Sequence, residues 1–391
     1  MPEAAHPVLV IGAGPAGLAT AACLGQRGIA YRLLERGASL GNSWAHLYDS
    51  LVLHTGRHMS TLPGLGYPRG TPLFPSRDDF LRYLHRYART FSIPVETGLT
   101  VQALRRSAHG WAATLSDRTC LHGSSAVVCT GIIANPRGTE LEGRATFRGE
   151  VLHSVDYHRP APFVGRRVLV VGVGNSGGEI GAELANAGAA VTMLVRSGAH
   201  VIPLTIAGIP VQYLSALLRR VPRGVQDGVV RQVQRMTDRR RGAPVLPRPA
   251  HSPLDAIPLI GFNLVDAIRS GLVVVRRGEL SHLSADAAIF ADGSSAPFDV
   301  VILATGFAPA LGMLGTLITR DARGFAIRRD RVASADQPGL YFVGHNYDAT
   351  GGIANIRRDA VLVARNIAGC RAVAARLARQ RERSVHPPTE P

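Results

Sequence analysis

The sequence predicts an α/β fold with two Rossmann-like dinucleotide-binding domains, and three observations carry that prediction. Gly12-x-Gly14-x-x-Gly17 and Gly172-x-Gly174-x-x-Gly177 each follow an apolar run and each open a helical pattern. Each loop is then answered by a charged residue at the end of the next apolar run, Glu35 after the first and Arg196 after the second. A chain of 391 residues, 46% hydrophobic, is long enough to bury two cores. Two nucleotide sites on one chain imply one bound redox cofactor and one hydride donor.

In chain order, residues 7–12 (Pro-Val-Leu-Val-Ile-Gly) read as a short strand of the kind buried in a parallel sheet. A helix is expected from Pro15 to Arg27, with Gly28 placed to stop it. The next strand covers Ala30 to Glu35, and the loop–helix–strand–acid order makes this signal far stronger than a lone glycine motif. Residues Arg77 to Phe91 read as an amphipathic helix with Phe80, Leu84 and Tyr87 on one face. Strands are expected at Leu99–Leu104, Trp111–Leu115 and Ala126–Gly131.

The second unit begins at Arg167, with a helix from Ser176 to Ala187 and a strand from Ala190 to Arg196. Arg196 occupies the place that Glu35 holds in the first unit. An acid there receives the free ribose hydroxyls of FAD or NAD, whereas a cation favours the 2′-phosphate of NADP. On that comparison the first unit takes FAD and the second NADPH. The bland alternative for Arg196 is an exposed arginine in an arginine-rich chain. Residues 204–255 break the pattern and read as a helical insertion with a basic face, Arg219 among its arginines, covering a cleft or touching an anionic membrane. Strands resume at Leu272–Val275, Ala288–Phe290 and Val300–Gly306; a last strand near Gly339–Gly344 precedes a helix over Asn355–Arg376 and a frayed tail beyond Arg379. The expected division is 1–160 for the FAD domain, 161–306 for the NADPH domain with its insertion, and 307–391 for the returning FAD domain and tail.

Composition narrows the function. The net charge is +16, yet the sequence contains no lysine, so all 44 basic residues are arginine. No basic region with interleaved aromatics accompanies them, which argues against nucleic acid and for attraction of anionic ligands. Cys23, Cys120, Cys129 and Cys370 lie far apart, with no C-x-x-C and no zinc spacing, so neither a thiol relay nor a metal site is expected. Residues 1–7 lack a signal-peptide pattern, and no apolar run approaches the roughly 18 residues of a membrane span. The expected compartment is the cytoplasm.

Between the two loops lies Phe147-x-Gly149-x-x-x-His153-x-x-x-Tyr157. With it, the chain resembles the class B flavoprotein monooxygenases over nearly all of residues 7–376, and within them the YUCCA-type enzymes and their bacterial relatives. Supporting stretches include Trp44, Tyr48–His54, Val195–Ser197, His200–Pro203 and Ala304–Phe307. The resemblance implies that NADPH reduces FAD, that O2 adds to the reduced flavin as a C4a-(hydro)peroxide, and that a small organic substrate is oxygenated. Tyr157 at the end of the signature favours N- or S-oxygenation; oxidative decarboxylation of an α-keto acid is the YUCCA-type alternative. Because the flavin carries the chemistry, no catalytic side chain is assigned to the signature Phe147, Gly149, His153 and Tyr157, of which Phe147, His153 and Tyr157 are expected to shape the link between domains. The cofactor-binding set is Gly12, Gly14, Pro15, Ala16, Gly17, Glu35, Arg36, Trp44, His54, Val101, Thr130, Gly131, Gly172, Gly174, Asn175, Ser176, Gly177, Arg196, Ser197, Thr305, Gly306, Gly344 and Gly352.

There are departures from the family pattern. Leu204 stands where YUCCA-type relatives carry an arginine, Gly344-His345 replaces a Gly-Asp pair, and the active-site asparagine of some relatives has Asn135 and Asn346 as candidates. The 204–255 segment and the 55–75 loop are expected to line the substrate pocket. Dimers are common in the family, so a homodimer is among the expectations. The competing reading is an NAD(P)H reductase or oxidase that does not oxygenate; a third is a non-catalytic flavoprotein that binds a partner through residues 214–241.

Overall fold

The computed structural model describes residues 6–385 except 109, 134, 139, 219, 256, 347, 349 and 350, with the side chains of 374, 375 and 377–385 also left aside. Two parallel sheets organise the chain. The first has the order Leu340–Phe342, Ser125–Val128, Val8–Ile11, Tyr31–Leu34. Val8 to Ile11 are buried throughout, as expected of a strand covered on both faces. The chain leaves this sheet after Val128 and returns to it at Leu340.

The second sheet has five parallel strands in the order Val273–Arg277, Ala190–Val195, Arg167–Val171, Val300–Leu303, Glu150–His153. Glu150–His153, the strand that contains the signature histidine, pairs with Val300–Leu303. Residues 150–153 therefore pair into the second sheet, upstream of the boundary at 160 that the sequence suggested. Repeated motifs mark where a unit's loop begins; they do not mark an edge strand contributed from before it.

Local chemistry sets the element ends. Ser76 caps Arg77–Thr90 reciprocally with Asp79, an arrangement worth roughly 1 kcal/mol. The helix Pro15–Gly25 stops before Gly28, which adopts φ +66°. It packs against the C-terminal helix Gly352–Val385. That helix corrects the expected frayed tail: residues 379–385 continue it, while 386–391 lie outside the described residues. Three strands of the three-stranded antiparallel sheets were also not anticipated, Cys120–Gly123, Leu280–Leu283 and Ser295–Pro297. Each carries too few apolar residues for alternation to register.

The insertion folds into Val211–Leu218 and Arg223–Arg241. The longer helix buries no residue, and three arginines of the region are paired, Arg223 with Asp255, Arg241 with Asp266 and Arg248 with Asp238. Arg219 lies outside the described residues. Among the described residues no helix is long and apolar enough to cross a membrane.

Candidate active site

The two glycine loops repeat the same stereochemistry. Gly12 (φ +100°) and Gly172 (φ +107°) turn the chain out of the strand in a conformation that L side chains rarely adopt. A Cβ on Gly17 would stand 1.8 Å from the Gly12 carbonyl oxygen, and one on Gly177 would stand 2.1 Å from that of Gly172. These third glycines let the helix close onto the strand. Gly14 and Gly174 differ: each has φ near −78°, open to any residue, and an added Cβ would meet nothing within 4 Å. The protein gives those two glycines no internal reason, so the open space beside them fits a pyrophosphate approaching the helix N-terminus.

A cavity of about 460 Å³ runs from Glu35 and Arg36, past Gly12, Gly14, Val101, Thr130 and Gly131, to Trp44 and His54. Pro15, Ala16, Gly344 and Gly352 complete its first-unit wall, and Asn175 and Ser176 of the second loop reach it from the other side. Glu35 accepts the Ala13 amide at 2.7 Å and the Gly37 amide at 2.9 Å. Its carboxylate is thereby fixed at the end of the strand where a ribose would meet it. This acceptor and the space at Gly14 fit a dinucleotide cofactor.

The site also contains a junction the sequence did not reveal. Glu179, one helical turn beyond Asn175, bonds both the Tyr48 hydroxyl and His54 Nε2. Tyr48 and His54 belong to the first unit and Glu179 to the second, so this carboxylate ties the two across the cavity that all three line. Burial and the neighbouring Glu179 push the Tyr48 hydroxyl pKa well up, which keeps it a donor. Nearby, Asn175 donates to the Pro258 carbonyl at 3.0 Å and accepts the Ile260 amide at 2.8 Å, pinning the insertion's exit to the second loop.

The remaining sequence-predicted residues stand away from the cavity wall. Phe147 is buried in the core beside Leu169 and Phe290, and a Cβ on Gly149 would strike its ring at 2.5 Å. His153 accepts the Val155 amide at Nδ1 and donates from Nε2 to the Gly306 carbonyl, both at 3.2 Å. Burial lowers its pKa, and both ring nitrogens are spent on backbone, so it serves as a joint between segments. Tyr157 is buried and donates to Glu183 at 2.8 Å. Thr305 donates to the Arg137 carbonyl, and Ser197 is exposed. Arg196 is also exposed, 3.7 Å from Glu279. Asn135 and Asn346 both hold backbone, of Pro309 and Arg331 respectively. Of the 55–75 loop, Thr55 alone among the described residues lines the cavity, because the wall is made by the preceding Leu51–His54.

His345, which follows the cavity-lining Gly344, is buried, touches the Phe325 and Phe342 rings, and has no partner for either ring nitrogen among the described residues. Burial, then nearby Arg328, push its pKa down to about 3. The folded state therefore binds fewer protons than the unfolded chain below pH ~6.5. Stability from this group is complete above that pH and falls by up to ~1.4 kcal/mol per pH unit as the pH drops toward 3. His345→Leu should flatten the loss in urea midpoint between pH 7.5 and pH 5; an unchanged slope would contradict this origin.

Two nucleotide-type loops converging on one cleft, with an acid closing the first, define a two-domain dinucleotide-binding flavoprotein fold. Comparison with known proteins makes this specific. The flavin-binding monooxygenase-like family matches residues 5–327, and the chain belongs to it. Indole-3-pyruvate monooxygenase YUCCA1 of Oryza sativa subsp. japonica is 33% identical over 92% of this chain and 90% of its own length. Indole-3-pyruvate monooxygenase YUCCA6 of Arabidopsis thaliana is 33% identical over 93% and 90%. Among solved structures, a flavin monooxygenase from Stenotrophomonas maltophilia carrying two substitutions superposes with a TM-score of 0.73. It is 25% identical over 94% of this chain and 99% of that one. The chain is thus an oxidoreductase of the flavin-binding monooxygenase-like family.

Proposed function

We propose that FAD lies along the first glycine loop with its ribose on Glu35, and that NADPH enters over the second loop with its 2′-phosphate toward Arg196. The observation that carries this reading is a single cavity shared by Gly12 and Gly14 of one loop and Asn175 and Ser176 of the other. Bound there, the flavin would supply the redox and oxygen chemistry. The chain's own residues do the rest. Backbone amides at the two loops receive the pyrophosphates, while Glu179 with Tyr48 and His54 holds the facing walls together and restricts water. The oxygenated atom is a soft nitrogen or sulfur, or the substrate is an α-keto acid that loses CO2. Four free cysteines support work in a reducing, cytoplasmic compartment.

The deciding experiment measures oxygenated product and hydrogen peroxide per NADPH consumed. Near-stoichiometric product sustains the reading, whereas peroxide alone would move the chain to the oxidase alternative. In the same assay Arg196→Ala should raise the KM for NADPH about tenfold and leave that for NADH nearly unchanged. Equal losses with both donors would remove the 2′-phosphate role.

A further inference from the structure

Among the described residues lining the cavity, one buried polar side chain has no partner. Gln212, on the helix Val211–Leu218, is 3% exposed, and neither its Oε1 nor its Nε2 makes a hydrogen bond. Leaving a buried amide unpaired costs roughly 1–3 kcal/mol, so native proteins rarely do so without a ligand or an ordered water to complete it. Several other polar side chains of the lining are already committed. Ser215 Oγ donates to the Val211 carbonyl, Thr55 pairs with Ser60, Asn175 uses both ends of its amide, and Glu179 is engaged by Tyr48 and His54. Gln212 is buried and has no such partner among the described residues.

Its helix is held in place. The Tyr213 hydroxyl meets His58 Nδ1 at 2.9 Å, and a Cβ on Gly56 would lie 2.4 Å from that hydroxyl, so no looser seat exists there. The cavity walls contributed by the insertion and its flanks are aliphatic, through Ile202, Val211, Ile257 and Ile260. In a chain with 44 arginines, the one arginine among the described lining residues is Arg36, beside Glu35 at the first-loop end. A carboxylate entering near Gln212 would lose its water, meet no arginine of the described lining other than Arg36, and share the cavity with the Glu179 carboxylate.

We infer that Gln212 is the residue that reads the substrate, and that the site takes an uncharged, largely apolar molecule presenting one hydrogen-bonding group. This rests on the monooxygenase reading and narrows it away from α-keto acids, the class to which the substrate named for the plant relatives belongs. The amide accepts from a substrate N–H or donates to a carbonyl or hydroxyl oxygen, which orients the molecule without neutralising a charge.

The test uses the FAD-loaded protein and two probes of one shape, indole-3-acetamide and indole-3-acetate, with binding followed by calorimetry. The acetamide should bind at least about tenfold more tightly than the acetate. Gln212→Leu should weaken the acetamide by about tenfold, and Gln212→Arg should reverse the preference. Acetate binding as tightly as acetamide to the parent protein would overturn the inference, whatever the variants do. So would acetamide binding to Gln212→Leu at the parent's affinity. If neither probe binds while product still forms with NADPH, this inference falls and the monooxygenase reading stands. A chain that binds no FAD overturns both.

Discussion

Gly14→Val is expected to give a folded protein that is colourless, and Gly174→Val one that stays yellow but is poorly reduced by NADPH. Both glycines have φ near −78° and both face open space, so the protein itself tolerates a side chain at either position. The cost to folding is that of a poor N-cap residue, about 1 kcal/mol or less. The ligand does not tolerate it. A valine at Gly14 holds the FAD pyrophosphate off the loop amides, and losing two charge-assisted hydrogen bonds weakens binding by about 100-fold or more. Flavin absorbance per polypeptide reads the first effect, and the urea midpoint against the flavin-stripped parent reads the second. Gly17→Val supplies the contrast. Its Cβ would press to 1.8 Å on the Gly12 carbonyl, so this variant should lose fold and flavin together. A fully yellow Gly14→Val protein would refute the assignment of the first loop.

The difference between these glycines explains what the sequence could reveal. Tight turns and close helix–strand contacts impose local demands, and each demand leaves a glycine at a fixed interval; both sheets' central strands were legible for that reason. Glu35 was legible too, because strand length sets its distance from the loop. Glu179 and Gln212 were not. Glu179 is one acid on an otherwise ordinary helix, and its role depends on where the loop containing Tyr48 and His54 folds in from another unit, more than a hundred residues away. Gln212 is defined by lacking a partner, which only the assembled cavity establishes. The signature Phe147–Tyr157 was legible as a motif, but its work is packing and strand-end joining, with His153 bonded to backbone on both sides of its ring.

Glu179→Ala should be the most damaging change on the cavity wall that leaves both glycine loops intact. It removes the acceptor shared by Tyr48 and His54, side chains that are sheltered at the junction. Two stranded polar groups cost about 3 kcal/mol together, enough to lower the melting temperature by several degrees. The functional effect follows from the same geometry. With the wall untied, the first-unit loop Tyr48–His54 is no longer held against the second-unit helix, and water gains access to the cavity. NADPH should still be consumed while product per NADPH falls several-fold and hydrogen peroxide rises by the difference. Glu179→Gln retains an oxygen that accepts from Tyr48, so it should recover part of the stability and part of the coupling. A loss of NADPH consumption with unchanged product per NADPH would instead place Glu179 in nicotinamide binding. Unchanged stability in Glu179→Ala would mean that the junction contributes nothing to holding the two units together.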